Sequence, residues 1–478
     1  MANAASAAST PNSGATPFSC RISFFLTDFC GNLLFCLIGS YLLYFYTDVF
    51  GLPVTVTGML LLLTRILDAI DAPVWGSIVD HTHSKYGRSR PWFLWLAIPF
   101  AVSMWLTFTT PTFLSETGKI VYAVFTYLIA GIVYSGVQTA ITSILPNLTN
   151  NHSERMVLNT FRMVGGSVGA FISMTFALPL VKLLGQGDQQ LGFSLTVGMF
   201  AIVVVILLFF AFRHLREQNV ERNVSIPVKD SIRALKNNWP WIILVSVNLF
   251  VWICISVRQG TLIYYCKYVL NNEDITALLN GVLMITCLIS FLVMALVVRY
   301  TKKFGAMILG AVLIIIGHLG MNYADSSMAM LVVCWAIAAF GQGLICAMPF
   351  GMLADTVDYG DWINKVRATG LLTAIGSALC IKAGSGIGGF IPTLIMGNYG
   401  YVANEIQSAE SLFGINLVFI WVPIILSVII AVPMFIYARY EAQEQQIVVE
   451  LQKRANAEAA PLTEQDFAEA KARLDQNK

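Results

Sequence analysis

The sequence predicts an all-α membrane protein of twelve transmembrane helices. Three observations predict it. Of the 478 residues, 57% are apolar and only 12% are Asp, Glu, Lys or Arg, about half the charged share of a soluble domain. Twelve apolar runs follow one another, each near the roughly 20 residues a helix needs to cross a bilayer core. The basic residues gather on alternate connections between them. Mean hydropathy is +0.71. The charged shell of a soluble enzyme and the basic face of a nucleic-acid binder are both missing, so no nucleic-acid partner is expected.

The runs lie near 22–47, 54–79, 92–111, 119–146, 159–184, 190–212, 240–269, 277–299, 304–323, 328–354, 369–397 and 410–438. They are far longer than barrel strands and show no period of two, so helices are expected. The even-numbered connections and the two termini carry 22 of the 29 Lys and Arg residues, the odd-numbered connections two (Lys119 and Lys182), and the spans five. Both termini are therefore expected in the cytoplasm. The implied organisation is a disordered cytoplasmic N-terminus over 1–21, a six-helix bundle over 22–212, a cytoplasmic linker over 213–239, a second bundle over 240–438 and a cytoplasmic tail over 439–478. The Ala/Ser-rich leader has no charged region ahead of an apolar stretch and does not read as a signal peptide. The nine cysteines lie almost all in apolar runs, without CxxC or Cys/His ligand spacing, and read as small buried residues.

A tight basic turn follows span 2, from Lys85 through Gly87, Arg88 and Arg90. Another follows span 8, at Arg299, Lys302, Lys303 and Gly305. The longest polar connection, Arg213 to Asn238, separates the two sets of six. Two parallel six-helix halves are the plan of the major facilitator superfamily.

Ionisable groups at membrane depth are costly and usually face a cavity with a partner. Here they are Asp28; Arg65, Asp68 and Asp71; Arg162; Arg258 and Lys267; and Lys382. Each either lines a ligand path or locks helices together as an ion pair. Residues 65, 68 and 71 are one helical turn apart and share a face. Arg65 either neutralises Asp68 or leaves it for a ligand. Two carboxylates one turn apart do not both ionise comfortably in a low dielectric, so one holds a proton unless a cation sits between them. That makes the pair a candidate site for a coupling ion. Asp28 and Lys382 can bond sugar hydroxyls, and Tyr134, Gln138, Trp252, Tyr264 and Tyr265 offer amide and aromatic walls. No nucleotide loop or zinc spacing is present, and the polar segments are too short for an ATPase. Transport would then draw on an ion gradient, with no cofactor.

From about Phe24 to Tyr437 the chain resembles the glycoside–pentoside–hexuronide:cation symporters, the group of the bacterial melibiose and glucuronide permeases. The likeness rests on Tyr46-Thr-Asp48-Val-Phe-Gly51, Arg65-Ile-Leu-Asp68-Ala-Ile, Arg88-Ser-Arg90-Pro-Trp92, Ala354-Asp355-Thr-Val-Asp358-Tyr-Gly-Asp361-Trp, Arg367 and Lys382-Ala-Gly-Ser. The resemblance implies sugar binding at Asp28, Arg162 and Lys382, to which Tyr134, Gln138 and Arg258 are added. It implies cation binding at Asp68, with Asp71 and Ser135 beside it, and gating at Asp355, Asp358 and Arg367. Three positions depart from the pattern: Ala72 replaces the second span-2 aspartate, Gln138 a span-4 aspartate, and Thr142 a tryptophan. The lost sodium ligand points to proton coupling, with sodium at Asp68 as the alternative. The lost acid at Gln138 beside three bases points to an anionic glycoside, a uronide or sulfosugar. A neutral galactoside or pentoside is the alternative.

The expectation is a secondary active sugar symporter, monomeric, in the bacterial inner membrane, working by alternating access. A lysolipid carrier on the same framework would need an apolar, lipid-open pocket and little from Asp28. An enzyme would need a nucleophile–base pair, and none of the five histidines (81, 83, 152, 214, 318) lies beside a candidate nucleophile.

Overall fold

The computed structural model describes residues 16–149, 152–217, 236–324, 327–365, 372–373 and 375–459. Among them the regular structure is helical, apart from one isolated bridge between Ser84 and Gly87 in the basic turn after the second helix. Helix α1 (Phe18–Leu37) continues through two wider π turns, Ile38–Leu42 and Phe45–Val49. It starts ahead of the expected boundary at residue 21, and Arg21 ties its first turns to Glu154 at 2.9 Å. Helix α2 (Val54–Asp80) follows. The third apolar run is broken at Leu96 into α3 (Arg90–Trp95) and α4 (Ala97–Thr107). Then come α5 (Glu116–Leu148), α6 (His152–Gly185) and α7 (Gln189–His214).

After the linker, α8 (Trp239–Tyr264) ends in the π turn Tyr265–Val269. Helix α9 (Ile275–Asn322) and α10 (Met328–Asn364) lead to α11 (Cys380–Asn398), which the π turn Ile375–Leu379 precedes. A short α12 (Ala409–Asn416) passes through the π turn Leu417–Trp421 into α13 (Val422–Glu441), and α14 (Glu444–Ala459) follows. Several starts are capped by side chains that satisfy otherwise orphaned N–H groups. Ser115 accepts from the Gly118 amide, Asp188 from those of Gln190 and Leu191, Asn238 from that of Trp241, and Ser408 from that of Ser411.

Nine helices among the described residues are long and apolar enough to cross a membrane. Two of the expected spans differ for visible reasons. Helix α2 carries Arg65, Asp68 and Asp71 within its apolar length, and the third run is cut at Leu96. Helix α9 instead has 48 residues, roughly 70 Å at helical rise and about twice a bilayer core. Inside it Lys302 leaves helical geometry at φ 60° and ψ 178°. This is the basic turn expected between spans 8 and 9. Both oxygens of Glu441 hold its far side, accepting from the Lys303 and Phe304 amides at 2.8 and 2.9 Å.

Helices before the linker pack mainly on one another: α1 on α6 and α7, α4 on α5 and α7, α2 on α5. Those after it do the same: α9 on α10 and α13, and α8 on α10, α11 and α13. The two sets meet along α2 and α11, α6 and α9, and the first π turn and α8. Small residues allow the closest approaches. A Cβ on Gly165 would stand 2.1 Å from the Phe25 carbonyl oxygen, and one on Gly169 2.4 Å from that of Phe29. No Cβ accommodates such distances, so α1 and α6 are set by backbone contact. Gly165→Val should therefore force the two apart, at a cost of about 1–3 kcal/mol. Gly76→Ala, where nothing lies within 4 Å, should leave stability unchanged. Thermal unfolding midpoints of the purified variants check both.

Candidate substrate and cation site

Six of the eight membrane-depth charges form two adjoining clusters joined by α5. In the first, Lys382 of α11 reaches across the seam. Its Nζ donates to Asp71 Oδ1 at 2.8 Å, to Ser135 Oγ at 2.9 Å and to the carbonyl oxygen of Asp68. The Asp68 carboxylate is held instead by Arg65 Nη1, at 3.1 Å and one turn away. The Arg65 guanidinium lies 4.9 Å over the Phe35 ring and 5.7 Å over that of Tyr127. Two glycines make room for this. A Cβ on Gly131 would meet Asp68 Oδ1 at 2.5 Å, and one on Gly386 would meet Arg65 Cβ at 2.7 Å. Asp71, read as the assistant, carries the lysine, and Asp68 offers it a backbone oxygen.

The second cluster surrounds Asp28 on α1. Arg162 from α6 and Gln138 from α5 are the groups that act on its carboxylate. Asp28 is 9% exposed. A Cβ on Gly166 would meet its Oδ2 at 2.5 Å. Asp28 Oδ1, Gln138 Oε1 and Arg162 Nε are buried and have no hydrogen-bond partner. Tyr134 stacks on Phe35, with centroids 4.2 Å apart and planes 7° apart. On α5, Tyr134, Ser135 and Gln138 are neighbours, so one helix wall serves both clusters. Asp71 Oδ2 and the Trp252 indole nitrogen are further buried atoms without partners. Buried polar groups left unsatisfied call for water or a ligand.

Arg258, expected in the sugar site, is elsewhere. Its Nη1 donates to Gln342 Oε1 and its guanidinium lies 4.6 Å over Trp335, inside the second helix set. The next residue, Gln259, faces the first set, where a Cβ on Gly39 would meet its Oε1 at 3.3 Å. One residue is about 100° of helix rotation, which the apolar pattern of α8 does not fix. Tyr265 also serves packing, stacked on Phe419 at 4.4 Å.

Among the residues expected at the gate, Asp355 pairs with Lys303 at 2.8 Å, and Lys303 also binds Glu444 of α14 at 2.6 Å. Asp358 lies nearly one turn further along α10. Arg367 falls outside the described residues.

The sequence reading missed a third cluster, which closes the seam at the far end. The side chain of Asp48 has no exposed surface, and Lys267 Nζ stands 2.8 Å from its Oδ1. The Tyr268 hydroxyl donates to the same oxygen and that of Tyr401 to Oδ2, at 2.6 Å in the latter case. Asn404 Nδ2 reaches the Asp48 carbonyl at 2.6 Å, and Lys267 also binds Tyr44 and Asn404. Thr47 meets Tyr264, Lys182 meets Asp274, and Asn280 meets Tyr41 and the Met174 carbonyl across the same seam. The signals for it were Lys267 within an apolar run and Asp48 within a motif. At the other end of the molecule, the bonds of Glu154, Glu217, Glu441 and Glu444 stay within their own helix sets.

The chain belongs to the MFS/sugar transport protein family, whose model matches residues 23–439. Within it the chain is a member of the glycoside–pentoside–hexuronide:cation symporter group that its motifs resemble, a group of membrane transporters and not of enzymes. It is 37% identical to an isoprimeverose transporter of Lactiplantibacillus pentosus over 459 residues, 95% of each chain. It is 31% identical to a glucuronide carrier protein homolog of Escherichia coli (strain K12), covering 91% of this chain and 95% of the relative. Its fold is similar to that of a solved bacterial homolog of the human lysosomal transporter Spinster, in an inward-facing and occupied conformation. There the TM-score is 0.65 at 13% identity, covering 89% of this chain and 97% of that one. The nucleoside transporter NupG gives 0.63 at 13% identity, covering 88% and 98%.

Removing the charge of Asp48 should leave Lys267 and three donors facing a neutral amide. Losing one member of a buried pair costs about 3–5 kcal/mol, so Asp48→Asn should loosen the seam. Cysteines placed at Lys182 and Asp274 and joined by a short bifunctional maleimide report it. Cross-linking should be efficient in the otherwise native protein and several-fold weaker beside Asp48→Asn.

Proposed function

We propose that this protein is a cation-coupled symporter that imports a glycoside by alternating access, with Asp28, Arg162 and Gln138 binding the sugar and Lys382, Asp71, Ser135 and Asp68 forming the cation centre. The observation that carries the reading is the pairing of two features on one wall of α5. One is a pocket of buried donors and acceptors that the protein leaves unsatisfied. The other is an ammonium group that bridges the two helix sets. Twelve spans in two bundles, 22–212 and 240–438, with both termini cytoplasmic, complete the proposal. The kinked α9 then counts as two spans, and α2 and the broken third run as one each.

Lys382 occupies the place of the coupling cation. Its three bonds go to a carboxylate, a hydroxyl and a carbonyl, the oxygen set that a hard cation also takes. The Asp48 cluster closes what would be the periplasmic side, so this conformation is the one that faces the cytoplasm after release. Return to the outward state frees the lysine. A proton then neutralises Asp71 from outside, the lysine no longer competes for it, and the sugar completes the bridge between the sets. Each ligand thereby favours the other, as coupling requires. Proton coupling is preferred to sodium because position 72 is alanine and the remaining acids are already matched to internal cations.

The charge count favours a neutral substrate over the anionic one expected from the sequence. Asp28 faces Arg162, Asp68 faces Arg65 and Asp71 faces Lys382, while Arg258 is turned away. Three acids against three bases leave no surplus for a uronate. A neutral disaccharide that contains a pentose fits, in keeping with the isoprimeverose transporter among the relatives.

Asp71→Asn should abolish uphill uptake, by about 100-fold or more in accumulation ratio, yet retain sugar exchange across vesicles. Retained uphill uptake would contradict the assignment. In competition assays neutral xylosides should displace the transported sugar, and glucuronides should be at least tenfold weaker. The reverse order would restore the anionic reading.

A further inference from the structure

Arg258 serves neither the chamber nor the seam. It is 1% exposed, within the second helix set. Gln342 accepts from its Nη1 and the Trp335 ring lies beneath it, but its Nε and Nη2 reach no acceptor. Among the described residues no carboxylate pairs with it, and the side chains of Cys254 and Cys287 beside it are neutral thiols. An amide and a ring soften a guanidinium, but neither carries the opposite charge. Charges at membrane depth that lack a partner are strongly disfavoured.

Other unsatisfied atoms lie around it. His318 has no exposed surface; its Nδ1 meets the Ile314 carbonyl at 2.8 Å, and its Nε2 has no partner. Its ring centroid is 6.2 Å from that of Trp335. Ser427 of α13 is fully buried, and its Oγ lies against the Cys254 thiol, one turn before Arg258 on α8. A bound water would satisfy the hydrogen bonds but not the charge.

We propose that Arg258 holds a small monovalent anion of halide size in a site formed with Ser427 and Trp335, separate from the sugar-binding residues. Nε and Nη2 lie on one edge of the guanidinium and form a two-donor fork, the geometry that recognises anions. Gln342 takes Nη1 and fixes the plane of that fork. The Ser427 hydroxyl is a third donor. Helices α8, α10 and α13 all contribute, so a bound anion ties together three helices of the second set.

The test is a thermal unfolding titration of the purified, sugar-free protein. Sodium gluconate is exchanged for sodium chloride or bromide at constant ionic strength. The native protein should show a saturable rise in midpoint with either halide. Arg258→Gln should lose that dependence. Ser427→Ala, a milder change, should shift the half-saturating concentration upward several-fold. If Arg258→Gln does not fold, bromide quenching supplies a second reading. A saturable fraction of tryptophan fluorescence should be quenched in the native protein and missing from Trp335→Phe. A midpoint indifferent to halide, or a halide response that survives in folded Arg258→Gln, overturns the proposal.

Discussion

The structure depends on one ammonium group placed between the two helix sets. Lys382 belongs to the second set, yet its three bonds go to Asp71, Ser135 and Asp68 of the first. In a low-dielectric interior such an ion pair is not a stability device in itself, since desolvation offsets much of the attraction. What it supplies is a condition: the sets stay together at this level while the lysine is held, and whatever displaces it changes their relation. The glycines at 131 and 386 matter for the same reason, because a side chain at either would push α5 or α11 away from α2.

Around that centre the polar groups differ in how far they satisfy one another. Asp28, Gln138 and Arg162 form a pocket with unsatisfied atoms, which suits a ligand rich in hydroxyls. Asp48, Lys267, Tyr268 and Tyr401 form a cluster whose charged and hydroxyl groups bond one another, which suits a closure. Lys303, Asp355 and Glu444 do similar work at the other end, but within one helix set and its tail helix. The ion pairs at the two ends therefore differ in kind. One joins the sets and must break for the seam to open; the other can persist whichever way the sets are tilted.

Much of this was legible in the sequence. The charges at Asp28, Asp68, Asp71, Arg162 and Lys382 stood out because hydrocarbon tolerates them poorly, and their residue types named the chemistry. Helix rotation was not legible. An apolar run such as α8 has no polar face to orient it, so Arg258 was assigned to the chamber where its neighbour Gln259 points toward the other set. Partner choice was not legible either. Spacing alone allowed Arg65, Asp68, Asp71 and Lys382 to pair in several ways, and only the crossing of α2 with α11 selects one. Asp48 stood out only as part of a family motif; its burial arises from Tyr268, Tyr401 and Asn404, which are remote in sequence. Helix ends followed local geometry that composition does not carry, as at Leu96.

The central claim is that Lys382 holds the place of the coupling proton on Asp71, and that this proton must be bound when the sugar is. Calorimetry of sugar binding to the purified protein, in buffers of different ionisation enthalpy, tests it most directly. The account predicts uptake of close to one proton per sugar bound, with sodium making no difference. Binding that takes up no proton and strengthens with sodium would contradict it.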